Sequence, residues 1–197
     1  MSVTALVLAA GGSRRLGRPK QLLPVGEGTL LDATLATVRR FGVDQIVVAL
    51  GGAADEVAAQ VDLGGCTVVR NDAYGEGCSS SIAAALPAVD PDASGVVLLL
   101  GDQPLVRPAT VAALVAAAGD LPLAVCRYDD GLGHPFWLGR DLFGRLASLH
   151  GDKGVWKLVD AAGDTLVTVP FAGSVPLDVD TEDDYRALLA QLARQVR

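Results

Sequence analysis

Along its first half the chain repeats one pattern, in which a short, almost wholly apolar segment ends abruptly at a glycine or a polar residue. Such segments are typical of strands buried on both faces of a parallel sheet, and the stretches between them have helical periodicity. The predicted strands are residues 3–8, 45–50, 66–70 and 95–100, and the predicted helices are 30–41, a segment ending near 61, and 79–86. Strand and helix therefore alternate at the spacing of βαβ units.

The second half is less regular. It predicts helices at 108–118, 141–149 and 154–161, strands at 122–127, 165–169 and 176–179, an apolar stretch at 136–138, and a last helix capped by Thr181. With no repeat or linker, the pattern favours one domain over residues 1–197. The expected fold is α/β and three-layered, a Rossmann-like, mostly parallel, mixed sheet with helices on both faces.

The turn after the first predicted strand is rich in glycine and positive charge. Gly11, Gly12 and Ser13 follow the strand, and the cations come next: Arg14, Arg15, Arg18 and Lys20. Glycines let backbone N–H groups approach an anion, so this turn predicts a polyphosphate site; the alternative is a surface loop with solvated arginines. The spacing fits neither a Walker A loop nor a dinucleotide fingerprint.

Aspartates follow two later segments. Asp102 lies directly after the most apolar strand, and Asp178 and Asp180 precede the last helix. Because the carboxyl ends of parallel strands meet at one edge of a sheet, Asp102 is expected near the cationic turn. Carboxylates together with phosphate oxygens suit Mg²⁺, but Asp178 and Asp180 point to the same side of an extended segment, so spacing leaves both open as the second ligand.

Composition narrows the class of partner. With 16 basic and 23 acidic residues the chain has a formal net charge of −7, which disfavours a broad surface for nucleic acid or an anionic membrane. The three cysteines, Cys66, Cys78 and Cys126, form neither a paired motif nor a disulfide framework. No apolar stretch is long enough to cross a bilayer, and we expect a cytoplasmic protein.

The glycine-rich turn resembles the signature L-A-A/G-G-x-S-x-R-x-G-x-x-K of MobA-like nucleotidyltransferases. The matching positions are Leu8, Ala9, Ala10, Gly11, Ser13, Arg15, Gly17 and Lys20. Further elements are similar to the MocA-type molybdenum cofactor cytidylyltransferase branch: Gly101-Asp102-Gln103-Pro104, Asp178-Val179-Asp180-Thr181, Gly133-His134-Pro135, Gly151-Asp152-Lys153-Gly154, and Asn71 with Gly77 and Ser79 to Ser81. The resemblance covers nearly the whole chain and implies the fold of the nucleotide-diphospho-sugar transferases.

The resemblance also implies roles for individual residues. Arg15, Lys20 and Asp102 are expected to be catalytic, Asp102 and Asp180 to hold Mg²⁺, and His134 to contact the acceptor. The implied nucleotide contacts are Leu8, Ala9, Ala10, Gly11, Gly12, Ser13, Arg14, Arg15, Lys20, Asn71, Gly77, Ser79 and Asp102. The Ala9-Ala10 form is similar to members that use CTP, so the implied reaction joins CMP from CTP to molybdopterin or its molybdenum form. A molybdenum hydroxylase is the expected client of the product.

Three alternatives stay open on the sequence. The same chemistry could act on another phosphorylated metabolite, such as a sugar or alditol phosphate. An NAD(P)H-dependent oxidoreductase of the pigment-reductase type is a second possibility, although the dinucleotide fingerprint is missing. A cofactor-delivery chaperone without turnover is the third.

Overall fold

The computed structural model describes residues 1–13 and 15–195, and it contains a seven-stranded sheet and a two-stranded hairpin. In chain order the strands are β1 (Ser2–Ala9), β2 (Pro24–Val25), β3 (Gly28–Thr29), β4 (Gln45–Leu50), β5 (Thr67–Arg70), β6 (Ala93–Leu100), β7 (Leu123–Tyr128), β8 (Gly131–Gly139) and β9 (Val167–Pro170). The helices are α1 (Leu30–Val38), α2 (Ala54–Gln60), α3 (Cys78–Ala85), α4 (Pro108–Ala118), α5 (Phe143–Ala147), α6 (Gly154–Ala162) and α7 (Glu182–Gln195).

The large sheet has the strand order β5-β4-β1-β6-β8-β7-β9. Strands β5, β4, β1 and β6 are parallel, β8 is antiparallel to both of its neighbours, and β7 pairs parallel with β9. The sheet is therefore mixed and mostly parallel, as the sequence predicts. In the parallel part, Leu6 of β1 is in register with Val47 of β4 and Leu98 of β6.

Helices cover both faces of this sheet. Side chains of α1, α2 and α4 pack on one face with Ala5 and Val7 of β1, and those of α3, α5 and α6 pack on the other with Leu6 and Leu8. Successive side chains of β1 point to opposite faces of the sheet. Because helices cover both faces, the side chains on each side of the strand are buried, and neither side faces water. This burial explains the uniform apolar run at the start of the sequence and confirms the three-layer α/β prediction. Among the described residues, no helix has the length and hydrophobicity required to span a bilayer.

The prediction of a strand at residues 176–179 is wrong. This segment has no regular secondary structure and pairs with no strand; instead, side chains of the loop that follows β6 hydrogen-bond to its backbone. Gln103 Nε2 donates to the Pro176 carbonyl at 3.1 Å, and the Val179 N–H donates to Asp102 Oδ2 at 2.9 Å. The apolar stretch at 136–138, by contrast, belongs to a longer strand, β8, than the sequence pattern indicates.

Helix α1 begins with a capping box. The Asp32 N–H donates to Thr29 Oγ1 at 3.1 Å, and the Thr29 N–H donates to Asp32 Oδ2 at 2.9 Å. Further along α1, Thr34 Oγ1 donates to the carbonyl of Gly101, which immediately follows β6. The capping box therefore stabilises α1, and α1 in turn contacts the loop before Asp102 through Thr34.

We expect Thr29→Ala to lower the free energy of unfolding by about 1 kcal/mol, because it removes the acceptor of the N-cap hydrogen bond. Chemical denaturation followed by circular dichroism measures this change. Thr29→Ser retains the hydroxyl and is the matched control. A Thr29→Ala variant as stable as the Thr29→Ser variant would contradict the role of the cap.

Candidate active site

A cavity of about 430 Å³ opens at the carboxyl ends of β1 and β6. It is lined by the end of β1 and the glycine-rich turn after it, the loop before α3, the start of α3, the end of β6 with the two residues that follow it, and two residues from later segments. Three of the lining residues are aspartates, Asp102, Asp152 and Asp180. Ligands of parallel α/β sheets bind beyond the carboxyl ends of the strands, so the cavity lies where the strand order predicts a ligand site.

The glycine-rich turn folds back on itself through Ser13. Its φ of 47° is in the left-handed region, which few residues other than glycine adopt. Its carbonyl accepts hydrogen bonds from the N–H groups of Leu16 and Gly17, and its hydroxyl accepts one from the Lys20 N–H at 2.9 Å. Ser13 therefore closes the turn and fixes the start of the segment that carries Lys20. The predicted nucleotide contact Arg14 lies outside the described residues.

Gln21 ties the turn to the end of β1, a role that the sequence analysis did not identify. Its buried side chain donates through Nε2 to the carbonyls of Ala9 and Gly11, at 2.6 and 3.2 Å. Lys20 and Gln21, which are consecutive in the sequence, thus both line the cavity. No periodicity marks a single glutamine before two leucines, so its function became visible only in the structure.

Positive and negative side chains meet at one end of the cavity. Lys20 Nζ lies 2.7 Å from Asp102 Oδ2 and 3.1 Å from Asp180 Oδ1. Arg15 Nη2 lies 2.6 Å from the other oxygen of Asp180. Burial on its own would lower the pKa of Lys20, but the charges and hydrogen bonds of the two carboxylates outweigh it and raise that pKa above its usual value. Lys20 is therefore a cation at neutral pH.

The two carboxylates that the sequence predicts as metal ligands converge on a single point, which is the Lys20 ammonium. Two carboxylates with phosphate oxygens and water are a donor set that Mg²⁺ accepts, so these residues fit a divalent cation. Within the part of the chain that the structure describes, no cluster of three or more His, Cys, Asp or Glu side chains is arranged for a metal. Phosphate and water would therefore complete the coordination.

The structure separates Asp178 from Asp180. Asp178 accepts a hydrogen bond from Gln103 Nε2 at 2.6 Å and does not line the cavity, whereas Asp180 does. Burial, followed by the negative charge of Asp102, raises the pKa of Asp178 to about 6. Of the two candidates that spacing left open, Asp180 is the one whose carboxylate faces the cavity and the cations.

Three predicted nucleotide contacts lie on the opposite wall. Gly77 lines the cavity, and a Cβ there would come within 2.6 Å of the Gly151 carbonyl carbon. Asn71 and Ser79 are buried behind this wall: Asn71 Nδ2 donates to the hydroxyls of two serines of α3, and Ser79 Oγ donates to the Gly151 carbonyl at 2.6 Å. The structure brings Gly77 to the cavity but places the other two as supports of its wall.

The predicted acceptor contact His134 is not among the residues that line the cavity. Its ring stacks on Phe136 with centroids 4.4 Å apart. Burial lowers the pKa of His134 to about 4, so the imidazole is neutral near pH 7 and supplies no positive charge to a phosphate. Asp152, from the Gly151–Gly154 element, does line the cavity, and so do Tyr74 and Cys78, which sequence reasoning missed.

The sequence model of the MobA-like NTP transferase domain matches residues 5–166, which include most of β1, strands β2 to β8 and all of the residues that line the cavity except Asp180. The chain belongs to this family. Its membership confirms the resemblance seen in the glycine-rich turn, and the family is described as an NTP transferase domain. Residues 167–197, which include Asp180, lie outside the matched region.

Two curated relatives of this MobA-like chain carry different names. "Nicotine blue oxidoreductase" of Paenarthrobacter nicotinovorans is 31% identical over 161 residues, which are 77% of this chain and 78% of that protein. "Bifunctional protein GlmU" of Alkalilimnicola ehrlichii is 39% identical over 137 residues, 68% of this chain. The matched region is 29% of the length of that GlmU protein.

Solved structures extend the similarity to the full chain. The crystal structure of an Rv0371c homologue from Mycobacterium sp. strain JC1 is 55% identical, with a TM-score of 0.93 and 98% of each chain covered. The structure of Rv0371c of Mycobacterium tuberculosis in complex with manganese is 48% identical, with a TM-score of 0.86 over 96% of this chain and 99% of that one. A divalent cation is therefore bound by a similar protein, in line with the convergent carboxylates described above.

We expect removal of either convergent carboxylate to weaken binding of Mn²⁺, and removal of Lys20 to strengthen it. Asp102→Asn and Asp180→Asn should each raise the Kd for Mn²⁺ about tenfold or more, since each would remove a carboxylate that fits the cation. Lys20→Met should lower that Kd because the competing ammonium is lost. Calorimetric titration with Mn²⁺ measures all three. Asp178→Asn is the matched control, and an equal loss in that variant would contradict the assignment.

We also expect His134 to make the protein sensitive to acid. The folded chain holds its pKa at about 4 against an ordinary value of 6.5, so on acidification the unfolded chain binds the proton first and stability falls. His134→Gln should lose less stability than the wild type when the pH is lowered from about 7 to about 5, as measured by urea unfolding. His150→Gln changes an exposed histidine and is the control. Identical losses in wild type and His134→Gln would refute the prediction.

Proposed function

We propose that this chain is a divalent-cation-dependent cytidylyltransferase, which transfers CMP from CTP to the terminal phosphate of molybdopterin or its molybdenum form. The observation that carries the proposal is the contact of Lys20 with both Asp102 and Asp180 inside one cavity. Nucleotidyl transfer requires cations that bind the polyphosphate and carboxylates that hold a metal, and Lys20, Asp102 and Asp180 would supply both. The motifs that resemble the MocA branch favour CTP and the pterin acceptor.

In the proposed reaction an oxygen of the acceptor phosphate attacks the α-phosphorus of the nucleotide. A new phosphorus–oxygen bond forms, the bond from the α-phosphorus to the oxygen bridging to the β-phosphate breaks, and pyrophosphate leaves with that electron pair. The attacking phosphate is already anionic, so no residue has to act as a general base. A bound Mg²⁺ or Mn²⁺ would supply Lewis-acid stabilisation of the phosphoryl oxygens.

The chain's own residues would bind and orient the triphosphate. Arg15 and Lys20 offset the negative charge that develops during transfer, and the turn closed by Ser13 presents backbone N–H groups to the phosphates. Asp102 and Asp180 would hold the cation. In this proposal a single domain carries both binding sites: its first half binds the nucleotide and its second half binds the acceptor. The cytidylylated product then passes to a molybdenum hydroxylase.

The experiment is pyrophosphate release with purified protein, Mg²⁺ or Mn²⁺, each nucleoside triphosphate in turn, and molybdopterin as acceptor. We expect release with CTP to exceed that with GTP, and Asp102→Asn to lower the rate at least about a hundredfold, because a ligand of the reactive cation is lost. Asp178→Asn is the control for a general loss of charge. Release that is independent of the divalent cation would overturn the proposal.

The same experiment distinguishes the alternatives. Release with a sugar or alditol phosphate in place of the pterin would reassign the acceptor. The name of the Paenarthrobacter relative justifies one further assay, in which oxidation of NADH and NADPH is followed by absorbance. Binding of the mature cofactor without pyrophosphate release, unchanged in Asp102→Asn, would favour a delivery chaperone.

A further inference from the structure

The cavity has two chemically different ends, set by the order of the strands. Asp102 follows β6, and Lys20 reaches it from the loop after β1. Tyr74 follows β5 and lies on the other side of that loop, beside the glycines that follow β4. A Cβ on Gly11 would lie 3.7 Å from Lys20 Cε, whereas a Cβ on Gly12 would lie 3.8 Å from Tyr74 Cε2. Gly11 therefore faces the cationic end of the cavity, and Gly12 faces the aromatic end.

The end near Tyr74 is unsuited to phosphate. Asp152 lines the cavity there, and its carboxylate accepts a hydrogen bond from the Cys78 N–H at 3.1 Å, so it places a negative charge at the start of α3. Apolar groups from Leu8, Ala9 and Leu100 line the floor of the cavity. A nucleotide with its phosphates against Arg15 and Lys20 would therefore direct its base towards the end that carries Tyr74.

Tyr74 is the one aromatic side chain among the cavity-lining residues that the structure describes, and it is 39% exposed. Its ring rests on backbone that carries no side chains. A Cβ on Gly52 would come within 2.5 Å of Tyr74 Cζ, and a Cβ on Gly51 within 2.9 Å of Tyr74 Cβ. The two glycines thus provide the space that the ring occupies at the cavity mouth.

We propose that Tyr74 stacks on the base of the bound nucleotide and is a positioning residue for the transfer reaction. The inference rests on the proposed nucleotidyltransferase function and adds the residue that holds the base. Stacking is tolerant of base identity because every base has a π face, so Tyr74 contributes affinity for nucleotides in general rather than a choice between CTP and GTP. The ring surface carries this interaction, and the hydroxyl is not required.

The test compares binding of CTP with binding of inorganic tripolyphosphate, both with Mg²⁺, by calorimetry. Tyr74→Ala should raise the Kd for CTP about tenfold and leave the Kd for tripolyphosphate within about twofold, since only CTP carries a base. Tyr74→Phe should retain most of the affinity for CTP. Gly52→Ala keeps the tyrosine but displaces its ring, so it should weaken CTP binding and spare tripolyphosphate.

Leu121→Ala is the matched control, because it truncates an apolar side chain that is also 39% exposed and that does not line this cavity. Equal weakening of CTP and tripolyphosphate in Tyr74→Ala would show a structural role and overturn the inference alone. Unchanged CTP binding with a higher KM for the acceptor would also overturn it, by assigning the ring to the acceptor. Failure of the wild type to bind CTP would overturn the proposed function together with the inference.

Discussion

The ammonium of Lys20 holds together three segments that are far apart in the sequence. The ammonium contacts Asp102 after β6 and Asp180 before α7. The backbone N–H of Lys20 donates a hydrogen bond to the Ser13 hydroxyl in the turn after β1. Asp102 and Lys20 are mostly shielded from water, with side chains 3% and 19% exposed. Removing either partner would leave a poorly solvated charge, which costs far more than an exposed ion pair contributes. The shape of the cavity therefore depends on this contact.

The same contact explains why the segment before α7 is not a strand. Asp102 Oδ2 accepts hydrogen bonds from both Lys20 Nζ and the Val179 N–H, so one carboxylate oxygen satisfies a cation and a backbone donor. The side-chain amide of the neighbouring Gln103 donates hydrogen bonds to the Pro176 carbonyl and to the Asp178 carboxylate. Backbone groups of this segment that could have paired with a strand are thus hydrogen-bonded to side chains, and these bonds hold Asp180 at the cavity. Helix α7 follows directly and is capped by Thr181 and Asp184.

Prediction succeeded where burial alone determines structure. Strands β1, β4 and β6 are enclosed by helices on both faces, so their apolar runs mark them in the sequence, and α4 begins and ends at the predicted residues, Pro108 and Ala118. It failed where polar side chains compete for backbone groups, as at residues 176–179. Within the cavity, Gln21 and Tyr74 were missed because their roles depend on which backbone atoms lie beside them, and neither belongs to a periodic pattern.

The sequence by itself determined the α/β class, the glycine-rich turn with its cations, and the family, since each is written in local composition and spacing. Only the tertiary structure decided that Asp180 rather than Asp178 faces the cavity, that Asn71 and Ser79 lie behind its wall, and that the neutral ring of His134 stacks on Phe136. The physical reason is that burial, charge pairing and hydrogen bonding depend on distances between atoms. Strand order and side-chain packing set those distances for residues that the sequence keeps far apart.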